Sequence, residues 1–416
     1  MMRTARAATP RAGRLGAALA VLAGTALVLL AATALALFPA RAADAATPVP
    51  EIHGGLDAVF SSRSDGFSYN TIGYGMTPFD AYQLRLMVAA QPNSAFNLDA
   101  EVRFSEAGGV WLYGAYATWT PNRDRDFHLQ IGKLPWAVGT WGERSDPEHN
   151  PLIGVPLIYS FPTALQDDVI PPNGDALINA PPPVAWSSEY DSTGGEERGM
   201  RIVDDSKWDV GATLRGDLHP LEVAVGFVQG APGSPAPGRD TNDGKSVLGR
   251  IGLRPWPMLR FGVSGSWGPY LNDAVAWSLP WKDHVTQYDQ ELGMADVEIV
   301  AGHLELRGEG AINVWQTPTV GDLRVWGGYG EARFSLATRW AIAARADRLR
   351  FSDVLDSAGR ALPWDHDLDR LEGGIEYRVE RRTSLKAVGQ RTWDHDAGEN
   401  EIYHVDLVAL QFTISY

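Results

Sequence analysis

Cysteine is absent from all 416 residues, so the fold cannot rest on disulfides and no thiolate chemistry is available. Lysine is nearly absent: Lys133, Lys207, Lys245, Lys282 and Lys386 are the only five. After residue 38 there is no long apolar run, so no later segment offers the roughly 20 residues that a membrane-spanning helix needs. Helical periodicity is weak throughout. There is no Gly-x-Ser-x-Gly elbow, no His-Glu-x-x-His pair and no phosphate loop, so no enzyme and no cofactor is expected. A formal charge of −15 argues against a nucleic-acid partner.

The start has its own pattern. Arg3, Arg6, Arg11 and Arg14 precede an almost wholly apolar stretch over 15–38, and "PARAAD" then supplies small residues at Ala40 and Ala42. This arrangement predicts a secretory signal peptide over 1–42, cut after Ala42. An uncleaved anchor helix is the alternative, since the apolar run is long enough to span a bilayer. Losing the five arginines of 1–42 takes the charge from −15 to −20, so 43–416 would be an acidic exported protein.

Within 43–416 the dominant period is two. In "FNLDAEVRF" (96–104), Phe96, Leu98, Ala100, Val102 and Phe104 alternate with Asn97, Asp99, Glu101 and Arg103. "LELRGEGAINV" (304–314) and "LEGGIEYRV" (371–379) repeat the pattern. Such alternation marks strands with two unlike faces, and about 16 of these segments can be traced. Short connections such as "PNRDRD", "DLHP" and "ERRT" alternate with mostly long ones at 61–80, 134–206, 231–245, 268–287 and 350–367. Short turns at one end and long loops at the other predict an all-β, transmembrane antiparallel barrel of the bacterial outer membrane. A soluble sandwich or propeller would show similar alternation. Against it, apolar faces recur in nearly every segment, and Trp111, Trp119, Trp208, Trp267, Trp315, Trp340, Trp393 and Tyr416 lie near segment ends, as interfacial girdles would.

The last residues, "VALQFTISY", are still a strand. A barrel loses its edges only if its last strand pairs with its first. An aromatic terminal residue also resembles the signal read by the barrel-assembly machinery, with Tyr416 where phenylalanine is usual. Tyr403, Val405 and Leu407 are odd-numbered while Leu410, Phe412, Ile414 and Tyr416 are even-numbered. This switch predicts a bulge near Val408–Ala409.

The connection 134–206, after the fifth strand, is far longer than an ordinary loop. It holds twelve Asp or Glu against Arg144, Arg198 and Arg201. It is either a constriction folded into the barrel or an outward cap. Three stretches resemble the phosphate-selective porins of the O and P type: "LQIGKLPWAVGTWGER" (129–144), "WDVGATLRGDL" (208–218) and "VGFVQGAPGSPAPGRDTNDGKSVLGRIGLRPWP" (225–257). The resemblance covers roughly 130–257. It implies a trimer of 16-stranded barrels that passes small solutes by diffusion, with a pore-narrowing loop after the fifth strand.

That family's anion selectivity rests on lysine and arginine ladders, and five lysines do not make one. The wall positions read as lumen-facing are near charge balance, so the acidic loop tips the expectation to weak cation preference. The residues expected at the constriction are Glu143, Asp146, Asp167 and Asp168 on the loop, facing Arg85, Arg103 and Arg307. An anion- or phosphate-selective porin is one alternative. A plugged barrel that binds surface polysaccharide is another, with Trp141, Trp186, Trp277, Trp281 and Trp364 on the loops. "WDHD" occurs twice, so Asp365, His366, Asp367, Asp394, His395 and Asp396 are weak metal-ligand candidates. Paired Asp-rich turns are the plainer reading. Outer-membrane lipid and lipopolysaccharide are the expected surroundings.

Overall fold

The computed structural model describes residues 50–62, 82–105, 109–121, 127–180, 199–204, 208–395 and 403–416. The expected signal segment 1–42 lies outside them. Alternation becomes strand throughout: β1 (Glu51–Ser61), β2 (Tyr82–Asn93), β3 (Phe96–Ser105), β4 (Gly109–Trp119), β5 (Phe127–Pro135), β6 (Trp208–Leu218), β7 (Leu221–Val228), β8 (Ser246–Trp256) and β9 (Leu259–Pro269). The series continues with β10 (Asp289–Ala301), β11 (Leu304–Thr317), β12 (Gly321–Ala337), β13 (Trp340–Phe351), β16 (Leu368–Glu380), β17 (Thr383–Asp394) and β18 (Tyr403–Ser415). A small hairpin, β14 (Asp353–Leu355) with β15 (Ala361–Pro363), decorates one long loop. The other sixteen strands form one closed antiparallel barrel in sequence order.

Closure falls at the chain's last residues. β1 pairs with β18 from Gly55 opposite Ser415 to Ser61 opposite Ala409. The Tyr416 amide then donates to the Gly54 carbonyl at 3.0 Å. A Cβ at Gly54 would lie 2.5 Å from the Tyr416 ring, so this seam needs glycine. Gly54→Val is expected to slow assembly, visible as a smaller share of heat-modifiable, folded barrel on a gel. An unchanged share would mean that the Tyr416 ring is not part of closure.

The two faces of the wall separate as the alternation predicts. Leu56, Phe60, Leu84, Ile251, Val263 and Ile312 are exposed on the outside. Arg85, Arg103, Arg345, Glu309, Asp347 and Glu372 are buried inside.

Two expectations need correction. β18 pairs with β17 in unbroken register from Tyr403 to Ile414, so there is no bulge at Val408–Ala409. Val405, Leu407 and Ala409 point inward together with Gln411 and Thr413, and all five are buried. The hydrophobic pattern switches because the inner face changes from apolar to polar along the strand, not because the register slips. A bulge does occur in β4, where Glu101 pairs with Gly114 but Val102 with Leu112. The extra residue, Tyr113, lies under the Arg103 guanidinium at 3.5 Å. The second correction concerns the girdle. Trp315 is fully buried within the apolar core, and Trp111 packs against that core.

Candidate functional site: the loop inside the barrel

The segment after β5 folds into the lumen. Trp136, Ala137 and Val138 are buried at its start. Gly139 then turns with φ +63°, its amide donating to Ser264 Oγ at 2.9 Å. A Cβ there would meet the Tyr159 hydroxyl and Glu309. A 3-10 turn follows over Trp141–Glu143, and a short helical turn over Leu157–Ser160 is buried along its whole length. An apolar core binds the segment to the strand ends at the long-loop side, through Ile158, Phe161, Trp315, Phe351 and Trp364 among others.

Backbone taken out of water must find other partners, and here the wall's charges supply them. Glu372 Oε1 accepts from the Gly154 amide at 2.8 Å. Asp347 Oδ1 accepts from the Leu157 amide at 3.0 Å. Arg370 Nη1 donates to the Val155 carbonyl at 3.0 Å. Lys386 Nζ donates to the carbonyls of Pro147 at 2.5 Å and Asn150 at 2.6 Å. Beneath Trp141, Arg144 meets Glu331 at 2.7 Å and the Tyr329 hydroxyl at 2.8 Å. The Tyr159 hydroxyl donates to Glu309 in a short bond. The polar lumen face therefore reads partly as a water-facing wall and partly as a set of anchors.

Some of the expected constriction residues meet. Asp146 lies 3.4 Å from Arg85 and 3.0 Å from Arg103. Arg85 also binds Glu148 at 2.7 Å and faces Asp57 at 3.3 Å. Glu143 goes elsewhere, bonding Arg260 on β9 at 2.8 Å. Asp167 bonds Ser234 of another long-side loop at 2.5 Å. Burial there pushes its carboxyl above the usual range, with the Ser234 hydrogen bond only partly opposing. Asp168 is exposed and joins none of the ion pairs found among the described residues. Arg307 lies near the short-turn end of its strand and pairs with Glu298 at 2.9 Å and Glu305 at 3.3 Å. Among the described residues it pairs with no loop acid.

What sequence reasoning did not single out is the cluster around Glu143. Arg215 on β6, Arg250 on β8 and Arg260 on β9 converge there, with Glu222 bonding Arg260 at 2.9 Å. Asp296 takes both arms of Arg250, one at 2.8 Å. Arg215 has no ion pair among the described residues, and its Nε lacks any hydrogen-bond partner. The Glu143 side chain remains 55% exposed. Partial burial pushes its carboxyl up, but the hydrogen bonds and charge of Arg260, with Arg250 and Arg215 behind, outweigh this and hold it below the usual range. All these residues are visible in the sequence, but their convergence across four separated segments is not.

The fold is that of the outer-membrane β-barrels. The in-vitro folded trimer form of OmpT, an outer membrane protein of Vibrio cholerae, superimposes with a TM-score of 0.54 at 9% identity, over 89% of this chain and 100% of that one. An anion-selective porin from Comamonas acidovorans gives 0.52 at 10%, over 89% and 99%. Salmonella typhi OmpF in complex with daunomycin gives 0.53 at 11%, over 88% and 97%. No protein-family model and no curated protein matches the chain. The likeness is thus to porin barrels as a fold, and the narrower resemblance to the phosphate-selective type is not carried further by it.

The two "WDHD" stretches do meet. His366 Nδ1 lies 2.9 Å from Asp394, and His395 Nε2 lies 2.8 Å from Asp369. Asp365 accepts from the Ala164 amide at 2.5 Å, and Asp367 from the Phe351 amide at 2.9 Å. The motif thus pins the lumen segment to the barrel rim. Among the described residues no three acidic or imidazole groups converge as ligands; Asp396 lies outside them.

Proposed function

We propose that this chain is an outer-membrane porin for passive diffusion of small hydrophilic solutes and ions. It is exported by the 1–42 signal, cut after Ala42, and inserted by the barrel-assembly machinery through the strand ending at Tyr416. It stands in outer-membrane lipid and lipopolysaccharide as a homotrimer, and it uses no cofactor. The observation that carries this reading is the 134–180 segment, anchored inside a closed barrel with Glu143 still half-exposed opposite an arginine wall. Steps of single-channel conductance from the refolded protein in a planar bilayer test it. A folded barrel without steps would overturn it. The apolar packing of that segment inside the barrel favours one second reading, a plugged barrel that binds surface polysaccharide.

The cation preference expected from the sequence rests on acids in excess at the constriction. Asp146 shares Arg85 and Arg103 with Asp57, Glu148 and Glu101. Around Glu143, Arg215, Arg250 and Arg260 face Glu143, Glu222 and Asp296 and are near balance. The eyelet therefore favours cations weakly, and the reversal potential in a potassium chloride gradient should lie slightly on the cation side.

This preference depends on pH in a stated direction. The folded-state pKa of Glu143 is depressed, so its pairing with Arg260 is fully present above the unfolded value. That pairing is lost only as pH falls through the lower, folded one. A free glutamate titrates near about 4.3, so cation preference should fall only below about pH 4. Glu143→Gln should hold the reversal potential at its acid value across neutral pH. A reversal potential in this variant that still moves on acidification like the wild type would assign the titration to another group.

A further inference from the structure

Most charges in the lumen are paired. Arg103 meets Glu101 at 2.6 Å, Arg260 meets Glu143 at 2.8 Å and Glu222 at 2.9 Å, and Arg307 meets Glu298 at 2.9 Å. Asp99 on β3 and Arg215 on β6 are exceptions: neither side chain enters a hydrogen bond or ion pair among the described residues. Gln130 on β5 likewise leaves its Oε1 without a partner. The side chains acting electrostatically on Arg215 are Glu143, Tyr116, Arg250 and Arg260. Asp217, two residues on, is exposed and not among them.

Asp99 and Arg215 stand at one depth. Each is the fourth residue from the short-turn end of its strand, and so are Tyr116 on β4 and Gln130 on β5. The register agrees. Asp99 lies directly opposite Tyr116, Tyr116 opposite Gly132, two residues from Gln130, and Gln130 opposite Thr213, two residues from Arg215. A stagger of four residues over three strands is what a tilt of about 45° produces. Leu98 and Ile131, beside Asp99 and Gln130 in sequence, are exposed on the outside, so the row faces inward. An acid, a phenol, an amide and a base therefore follow one another across four neighbouring strands. The ends lie about 20 Å apart at Cα along the wall, too far for Asp99 and Arg215 to pair, yet both act on the Tyr116 hydroxyl between them.

We propose that this row binds a short zwitterionic peptide in transit, its C-terminal carboxylate on Arg215, its N-terminal ammonium on Asp99 and its backbone amides on Gln130 and Tyr116. Both terminal nitrogens of Arg215 are unspent, and two such donors suit a carboxylate in bidentate geometry. An extended peptide covers about 3.5 Å per residue, so about three residues bridge what the two side chains leave open, and a single amino acid does not. The inference rests on the porin reading and names a solute class for it.

The test is interruption of single-channel potassium chloride current by added peptide, with the refolded full chain in a planar bilayer. The probes are triglycine, N-acetyl-triglycine, triglycine amide and glycine. Triglycine should interrupt the current. The acetylated and amidated forms, each lacking one charge, should bind about tenfold more weakly, and glycine more weakly too. Asp99→Asn should abolish the preference for triglycine over its acetylated form, and Arg215→Gln the preference over its amide. Asp217→Asn should leave both preferences in place. Heat-modifiability of each variant reports its folding separately. Capped forms that interrupt the current as strongly as triglycine would overturn the proposal. So would an Asp99→Asn variant that keeps the full preference, or an Asp217→Asn variant that loses it, since the ammonium would then sit off the row. A folded barrel without conductance steps would sink the porin reading. Saturation-transfer NMR of triglycine on the same barrel in detergent then decides this one: transfer that is lost in Arg215→Gln keeps it, and no transfer overturns it.

Discussion

Exchanging Arg215 for glutamate is expected to carry the reversal potential further to the cation side. Arg215 is the cation of the Glu143 cluster without an ion pair among the described residues, so its charge is the one left to act on a passing ion. Its neighbours are committed: Arg250 to Asp296, Arg260 to Glu143 and Glu222. The substitution changes the local charge by two. At about 6 Å in a water-like dielectric, one charge acts on a passing ion with about 0.7 kcal/mol, so two give about 1.4 kcal/mol, opposite in sign for cations and anions. The permeability ratio should therefore change at least about tenfold. Zero-current potentials under a potassium chloride gradient measure this directly. Arg307→Glu is the matched control. Its site at the short-turn end is already flanked by Glu298 and Glu305, and its effect should be smaller. Equal shifts from both variants would mean that the whole lumen's net charge, and no local eyelet, sets selectivity.

Arg345→Met is expected to cost about 3–5 kcal/mol of barrel stability. The guanidinium is fully buried among three carboxylates, Glu372 at 2.6 Å, Asp347 at 3.3 Å and Glu331 at 3.4 Å. Its charge also lies 5.6 Å from the centre of the Trp141 ring. Removing one partner of such a set strands the others, and a stranded buried charge is far costlier than the intact group. Glu331, Asp347 and Glu372 also hold Arg144 and the Leu157 and Gly154 amides, so the lumen segment should loosen as well. Urea unfolding of the detergent-solubilised barrel, followed by tryptophan fluorescence, reads the stability. Conductance of the same variant reads the segment, which should give larger or noisier steps. Full stability in Arg345→Met would show that the three carboxylates share protons and need no cation between them.

Period-two alternation carried the barrel. It fixes which residues share a face, because successive strand side chains point to opposite sides. From it follow the antiparallel segments, the even count, the inward placement of Arg85, Arg103 and Glu309 and the need for a last strand that reaches the chain's end. The loop after β5 was legible from its length, and the meeting of Asp146 with Arg85 and Arg103 from its charge.

What alternation cannot report is the medium that each face meets. Trp315, Val405 and Leu407 are apolar and point inward. In sequence they look like a lipid girdle or a slipped register, because a dry core inside a barrel has the same chemistry as the bilayer outside it. Only the tertiary structure decides this, by filling the upper lumen with the 134–180 segment. It likewise decides the partners of Glu143 and Arg307. Opposite charges attract over a few ångströms, and strand pairing, not sequence distance, sets which side chains come that close. The sequence by itself determined a closed barrel with a charged interior and a long inserted segment. Three-dimensional packing determined where that interior is dry, where it is wet, and which charges remain unpaired in the wet part.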